Sequence, residues 1–180
     1  MTSALSVREI TVSDIPLIAD YWTTSSDSHL KSMGVDLDKI PDRENFISML
    51  ENQLSLPIQE RNAVAFIWEM NGKPIGHCNT NPTKFGGEAN MHLHIWKQEN
   101  QKRNIGTELL KKTIPLLFEK LELNRLYCEP YALNPAPNRI LEKVGFAFVK
   151  EYVTVPGSIN FEQPVKQWLM IRESALKLFN

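Results

Sequence analysis

The residues with the most chemical reach lie in the middle of the chain. The stretch QENQKRNIGTELLKK, Gln98 to Lys112, sets Gln101, Lys102, Arg103, Asn104 and a lone Gly106 at what reads as the entrance of a long helix. The first turn of an α-helix leaves backbone N–H groups unpaired and carries roughly half a positive charge. A phosphate placed there meets both needs. Gly106 lacks a Cβ and lets a ligand oxygen approach the backbone, while Lys102 and Arg103 add positive charge. Taken alone, the stretch equally suits an ordinary helix start with solvated cations. Upstream, EANMHLHIW alternates strictly, with Met91, Leu93 and Ile95 on one face and His92, His94 and Trp96 on the other. Imidazole titrates in the range useful for moving protons, so His92 and His94 suit either a base or a groove wall. Their spacing also suggests a metal, but no third ligand is apparent nearby. Downstream, Glu129 and Tyr131 close the run NRLYCEPY; a carboxylate at the end of a buried strand suits proton transfer, or is simply a strand-end charge beside a cation.

Positioning these groups requires strands with helices interleaved. LSVREI reads as a first strand, followed by a helix entered at Ser13-Asp14 whose Ile15, Ile18, Ala19 and Trp22 make one buried stripe. Ser25 to Pro41 has no clean period and reads as a loop with at most a short helix, suited to a lid or substrate wall. Asp42 caps a second helix whose Phe46, Met49, Leu50 and Leu54 should face the core. NAVAFIWEM and PIGHCNTN flank Asn71-Gly72, the dipeptide of a tight hairpin. A helix from about Ile105 to Leu121 carries Leu109, Leu110, Ile114, Leu117 and Leu121 on one stripe, with Pro115 predicting a kink. NPAPNRILEKV is a further helix, ended by Gly145. FAFVKEYVTV and VKQWLMIRE are closing strands, joined by the loop around Pro156-Gly157.

The 180 residues, 42% hydrophobic and 23% charged, can bury a real core, and the length predicts one domain over residues 1–180. A net charge of −1 gives no footprint for nucleic acid. No apolar run approaches the ~18 residues a membrane span needs, and MTSALSVREI lacks a secretory pattern. Cys78 and Cys128 read as two reduced core cysteines of a cytoplasmic protein rather than a disulfide.

Two motifs carry a family resemblance. QKRNIGTELL resembles the Gln/Arg-x-x-Gly-x-Gly/Ala loop of the GNAT superfamily of acyl-CoA-dependent N-acetyltransferases, with Gln101 at the first position and Gly106 at the last. Asn104 replaces the middle glycine, and Asn tolerates left-handed backbone angles. NPAPNRILEKVGF resembles the asparagine-led helix of the same superfamily, especially its ribosomal-protein N-terminal acetyltransferase-like branch. Asn134 matches the asparagine that contacts the cofactor arm; Pro137 stands for a Ser or Ala, and a proline in the first turn is conformationally harmless.

The resemblance covers essentially the whole chain and implies an α/β (α+β) fold, a mixed, mostly antiparallel splayed sheet flanked by helices. It implies acetyl-CoA as co-substrate and a primary amine as acceptor, either a protein N-terminus or a small amine, with no metal. Gln101 through Gly106, including Ile105, with Thr107 near, would wrap the coenzyme A diphosphate. Backbone groups of His94, Ile95 and Trp96 would meet the pantetheine amides. Glu129 matches the branch's general base, with His92 and His94 as other candidates. Met91 stands where some relatives carry a glutamate, and Leu141 where the family has a tyrosine acid, leaving Tyr131 or water to protonate the thiolate. The acceptor pocket is expected between Ser25–Pro41 and the closing loop TVPGSINFEQPVKQW, with Trp22, Trp96 and Phe161 contributing and Asp27, Asp36 and Asp38 attracting a cationic amine. A monomer or homodimer is expected. A non-catalytic acyl-CoA-binding or sensing module is the alternative in another class.

Overall fold

The computed structural model describes residues 4–100 and 104–179. Seven strands form one sheet: β1 (Leu5–Glu9), β2 (Val64–Met70), β3 (Lys73–Thr83), β4 (Glu88–Ile95), β5 (Arg125–Cys128), β6 (Ala147–Thr154) and β7 (Gln163–Ile171). Their order is β1-β2-β3-β4-β5-β7-β6. Every neighbouring pair is antiparallel except β4 and β5. The expected mixed, mostly antiparallel sheet is therefore present.

The parallel pair explains the splay. β4 and β5 match only at Glu88↔Arg125, Ala89↔Leu126 and Asn90↔Tyr127. Beyond Asn90, β4 runs on to Ile95 while β5 stops at Cys128, so the sheet parts into two halves. Parallel neighbours need a crossover, here α4 (Ile105–Lys120). Its Leu109, Leu110, Ile114 and Leu117 are fully buried and pack in one core with Met91 of β4 and Trp68 of β2. Pro115 lies inside this continuous helix. α5 (Pro135–Val144) and α6 (Arg172–Phe179) pack against α4.

On the other face, α1 (Ile15–Thr24) sets Ile18, Tyr21 and Trp22 against Ile67 in a second core that Trp96 joins. The alternation read in EANMHLHIW is thus real. α2 (Asp27–Ser32) and a 3₁₀ turn at Leu37–Lys39 occupy the irregular segment. Asn71 and Gly72 turn the β2–β3 hairpin with positive φ, at 53° and 73°.

Two expectations change. α3 (Arg43–Ser55) is capped by Asp42, which accepts from the Asn45 amide at 2.8 Å, but none of its residues is buried. Met49 is 53% exposed; Phe46 and Leu50 pack against the second core, and the Phe46, Met49, Leu50, Leu54 stripe as a whole lines a cavity. The second change is α6, where the sequence reads only the end of a strand; Ala175 anchors it to the main core. Among the described residues no helix is long and apolar enough to cross a membrane.

Candidate active site

The mouth of α4 is shaped by main chain. Asn104 stands at the N-cap in the left-handed region, φ 61° and ψ 12°, the conformation its side-chain type tolerates. The Asn104 carbonyl accepts the first helical bond from Glu108 N at 3.0 Å. Its side chain does not fold back onto the helix; Oδ1 accepts from Lys143 Nζ of α5 at 2.9 Å. The Asn104 side chain makes no capping bond to the first turn.

Gly106 is buried, and a Cβ there would sit 3.2 Å from Ile140 Cδ1 and 3.5 Å from Ile95 Cδ1. The missing side chain lets α4 approach α5 and β4, a packing role beside the one expected. Thr107 is buried beside it. Gln101, Lys102 and Arg103 lie outside the described residues.

The open edge of β4 faces the gap left by β5. Peptide groups along a strand alternate in direction. Trp96 N donates to Ile75 O of the β3 side at 2.9 Å, and His94 pairs with His77. The peptides of His94 and Trp96 therefore face β3, and those of Leu93 and Ile95 face the gap. Of the three residues His94 to Trp96, Ile95 alone turns its peptide away from β3, as does Leu93 before it.

Across the gap, Asn134 occupies the N-cap of α5 without using its side chain there. Its position is held by Asn138, a buried residue that sequence reasoning passed over. Asn138 Nδ2 donates to Asn134 O at 2.7 Å and Tyr131 O at 3.2 Å, while Oδ1 accepts from Trp168 Nε1 at 2.9 Å. The i,i+4 spacing of the two asparagines was the available signal.

Asn134 also borders a cavity of about 700 Å³ that runs between the sheet, α1 and α3. Glu129 is the one carboxylate lining it among the described residues. Its Oε1 accepts from Tyr152 Oη and from Gln167 Nε2, both at 2.6 Å. Those grips orient the carboxylate and leave Oε2 for another partner. Burial, then the hydrogen bond and charge of Glu129, push the Tyr152 hydroxyl up to about 12.

The histidines divide by role. His92 Nε2 lies 2.9 Å from the Asn81 carbonyl; a carbonyl only accepts, so Nε2 carries the proton and Nδ1 keeps a lone pair. Burial lowers its pKa, partly opposed by the Asn81 carbonyl and the charge of Glu129. His94 belongs to an aromatic wall. Its ring stacks on His77 at 4.8 Å, meets Trp22 edge-on at 4.9 Å, and presents Nδ1 3.4 Å from Tyr21 Oη. Burial, then the neighbouring His77, holds its pKa well below the usual imidazole range. His77 accepts from Trp96 Nε1 at 2.8 Å and burial brings its pKa down to about 3. These stacked rings do not converge on a point, and among the described residues no three His, Cys, Asp or Glu side chains are grouped to hold a metal ion.

Tyr131 lines the cavity with its ring edge-on to Phe161 at 5.9 Å. Leu141 is wholly buried in the main core. Cys128, beside Glu129, is a buried free thiol whose pKa is pushed up by burial and then by the Glu129 charge.

The cavity roof joins the two segments expected to wall the acceptor. Asp36 N donates to Ile159 O at 2.8 Å, and Val35 bridges to Asn160. The Gly34 carbonyl accepts from Asn160 Nδ2 at 2.9 Å and Gln163 Nε2 at 2.8 Å. Gly34 has φ +81°, and a Cβ there would collide with the Gln163 amide. Asp36 and Asp38 do not line the cavity; they border a separate depression with Lys31 and Phe161. Asp27 sits in the first turn of α2, also away from the cavity lining. Trp22 lines the cavity, while the Trp96 indole is turned to His77.

Residues 4–147 match the model of the acetyltransferase (GNAT) domain. The chain belongs to the GNAT acetyltransferase family. It is thereby an acetyl-CoA-dependent N-acetyltransferase. No curated protein sequence matches the chain. Solved structures share its shape. Spermidine N-acetyltransferase from Vibrio cholerae, in complex with CoA and spermine, superposes with a TM-score of 0.77 at 17% identity over 96% of this chain and 98% of that one. Ribosomal-protein-S5-alanine acetyltransferase from Vibrio fischeri gives 0.76 at 20% identity over 96% and 98%. The aminoglycoside acetyltransferase AAC(6')-Ib, in complex with coenzyme A, gives 0.71 at 18% over 98% and 100%. At these identities the likeness bears on the fold. In this GNAT acetyltransferase, Glu129, His92, His94, Tyr131 and Asn134 all reach one cavity, whereas the mouth of α4 stands apart from its lining.

Proposed function

We propose that the enzyme transfers acetyl directly to a primary amine seated in the 700 Å³ cavity, with Glu129 as general base. The single carboxylate in that lining, oriented by Tyr152 and Gln167, is the observation that carries the assignment. Glu129 attracts the incoming ammonium and takes its proton on Oε2, directly or through water; the freed nitrogen lone pair then attacks the thioester carbonyl. Main-chain groups of Leu93 face the gap where the acyl arm would lie, and the first turn of α4, with Ile105, Gly106 and Thr107, suits the diphosphate. Asn134 suits the arm from the α5 side. His92, with its Nδ1 lone pair, is positioned to hold a bridging water. The Tyr131 hydroxyl is the nearest candidate to protonate the departing thiolate, whose free pKa is about 8.5.

Cys128 is the thiol lining the cavity, and its raised pKa keeps it protonated and a poor nucleophile. Direct transfer without an acyl-enzyme follows. Reduced, buried Cys78 and Cys128 suit the cytoplasm.

Glu129→Gln should lower kcat/KM about 100-fold near neutral pH, with the deficit shrinking at high pH where free amine is abundant. A wild-type pH profile in that variant removes Glu129 as the base. Acetyl-CoA binding without transfer to any amine would instead mark a sensing module.

A further inference from the structure

We infer that the acceptor is an amine carried on a bulky apolar group, alkyl or aromatic, with no second positive charge; this rests on the acetyl-transfer reading of the same cavity. The first ground is α3. Its thirteen residues include none that is buried, yet Phe46, Met49, Leu50 and Leu54 fall on one face and line the cavity. An apolar side chain of this size left in water forgoes about 1.5–3 kcal/mol of burial. Phe46 and Leu50 pack on one side against the second core, but the surface that all four residues turn to the cavity is left for its occupant to cover. The Phe46 ring also stacks near-parallel to Trp22, 6.1 Å apart at 17°, giving a flat aromatic wall.

The second ground is charge. Glu129 is the single carboxylate in the lining among the described residues, and Lys39 and Arg61 share that lining. Lys39 Nζ donates to Asn160 O at 2.9 Å and pairs with Asp36 Oδ2 at 3.5 Å, while Arg61 donates to Leu56 O and Leu54 O, each at 2.9 Å. A polyamine or aminoglycoside entering here would place one nitrogen at Glu129 and the others against apolar walls or like charges. Desolvating such charges without partners is expensive. Asp36, already engaged by Lys39, and Asp38 border the separate depression and do not line the cavity. The cavity volume of about 700 Å³ suits a ligand of drug-like size.

The test is a steady-state comparison at saturating acetyl-CoA of hexylamine and 2-phenylethylamine against spermidine and kanamycin, in wild type and in Leu50→Glu. Leu50 lies outside the buried core, so the variant should fold, which its Tm checks. Wild type should favour the apolar amines at least about tenfold in kcat/KM, the scale on which apolar pockets discriminate, and Leu50→Glu should erase that preference. Preference for spermidine or kanamycin, or an unchanged ratio in Leu50→Glu, overturns the inference while leaving acetyl transfer standing. If no amine is acetylated although acetyl-CoA raises Tm, the acetyl-transfer reading fails and takes this inference with it.

Discussion

The mouth of α4 and the 700 Å³ cavity share strand β4 as a border, but they are built from different material. The mouth consists of main chain: a left-handed Asn104, the first turn of α4 and a buried Gly106 that lets α5 close in. The cavity consists of side chains from α1, α3, β3, β4, the end of β5 and the β6–β7 loop. Main-chain sites tolerate side-chain change wherever the backbone path survives. Side-chain sites are re-specified by single substitutions. A family that keeps one co-substrate while varying its acceptor can separate its tasks in this way.

Four substitutions at three positions probe that contrast. The largest effect is expected at the mouth, where Gly106→Val forces branched carbon against Ile140 and Ile95. Overpacking of this kind costs about 1–3 kcal/mol, and acetyl-CoA affinity measured by titration calorimetry should fall at least about tenfold. Gly106→Ala, meeting only the flexible end of Ile140 at 3.2 Å, should stay within about threefold of wild type. Equal losses in both variants would make ligand approach the glycine's purpose.

Next is Gly34→Ala in the roof, where a positive φ and the Gln163 amide both oppose a methyl group. Strain of about 1–3 kcal/mol should loosen the roof, raising the amine KM about tenfold while the acetyl-CoA dissociation constant holds. A shift in both constants would mean that the two regions are not separable. A small effect is also expected for Asn104→Gly, which preserves the left-handed turn and removes only the exposed bond to Lys143. An exposed bond of this sort is worth about 1 kcal/mol or less, so affinity should change by less than about fivefold. A large loss would make the Asn104 side chain itself part of the binding surface.

The same contrast explains what could be read from the residues alone. The strict alternation of EANMHLHIW, the Asn71-Gly72 hairpin, the left-handed Asn104 and the Gly145 helix end are local patterns, and each appears where its neighbours in sequence imply. What escaped depends on distant partners. The Gly34–Gln163 bond in the roof spans 129 positions. The grip of Tyr152 and Gln167 on Glu129 requires β6 and β7 to return beside β5. Helical spacing in α3 correctly marked one apolar face, but spacing does not say whether that face meets protein or open space. For β4 the pattern told which side chains share a face; which peptides face the gap depends on how β3 pairs, as the Ile75–Trp96 bond shows.

The short contact between β4 and β5 has a mechanical consequence. Within the sheet, three residue pairs hold one half to the other, so the notch between the halves is where backbone cohesion is thinnest. A molecule wedged there acts as a rivet, adding its affinity to the strength of the seam. Amides on both banks of the notch would then slow their hydrogen exchange together when it is filled.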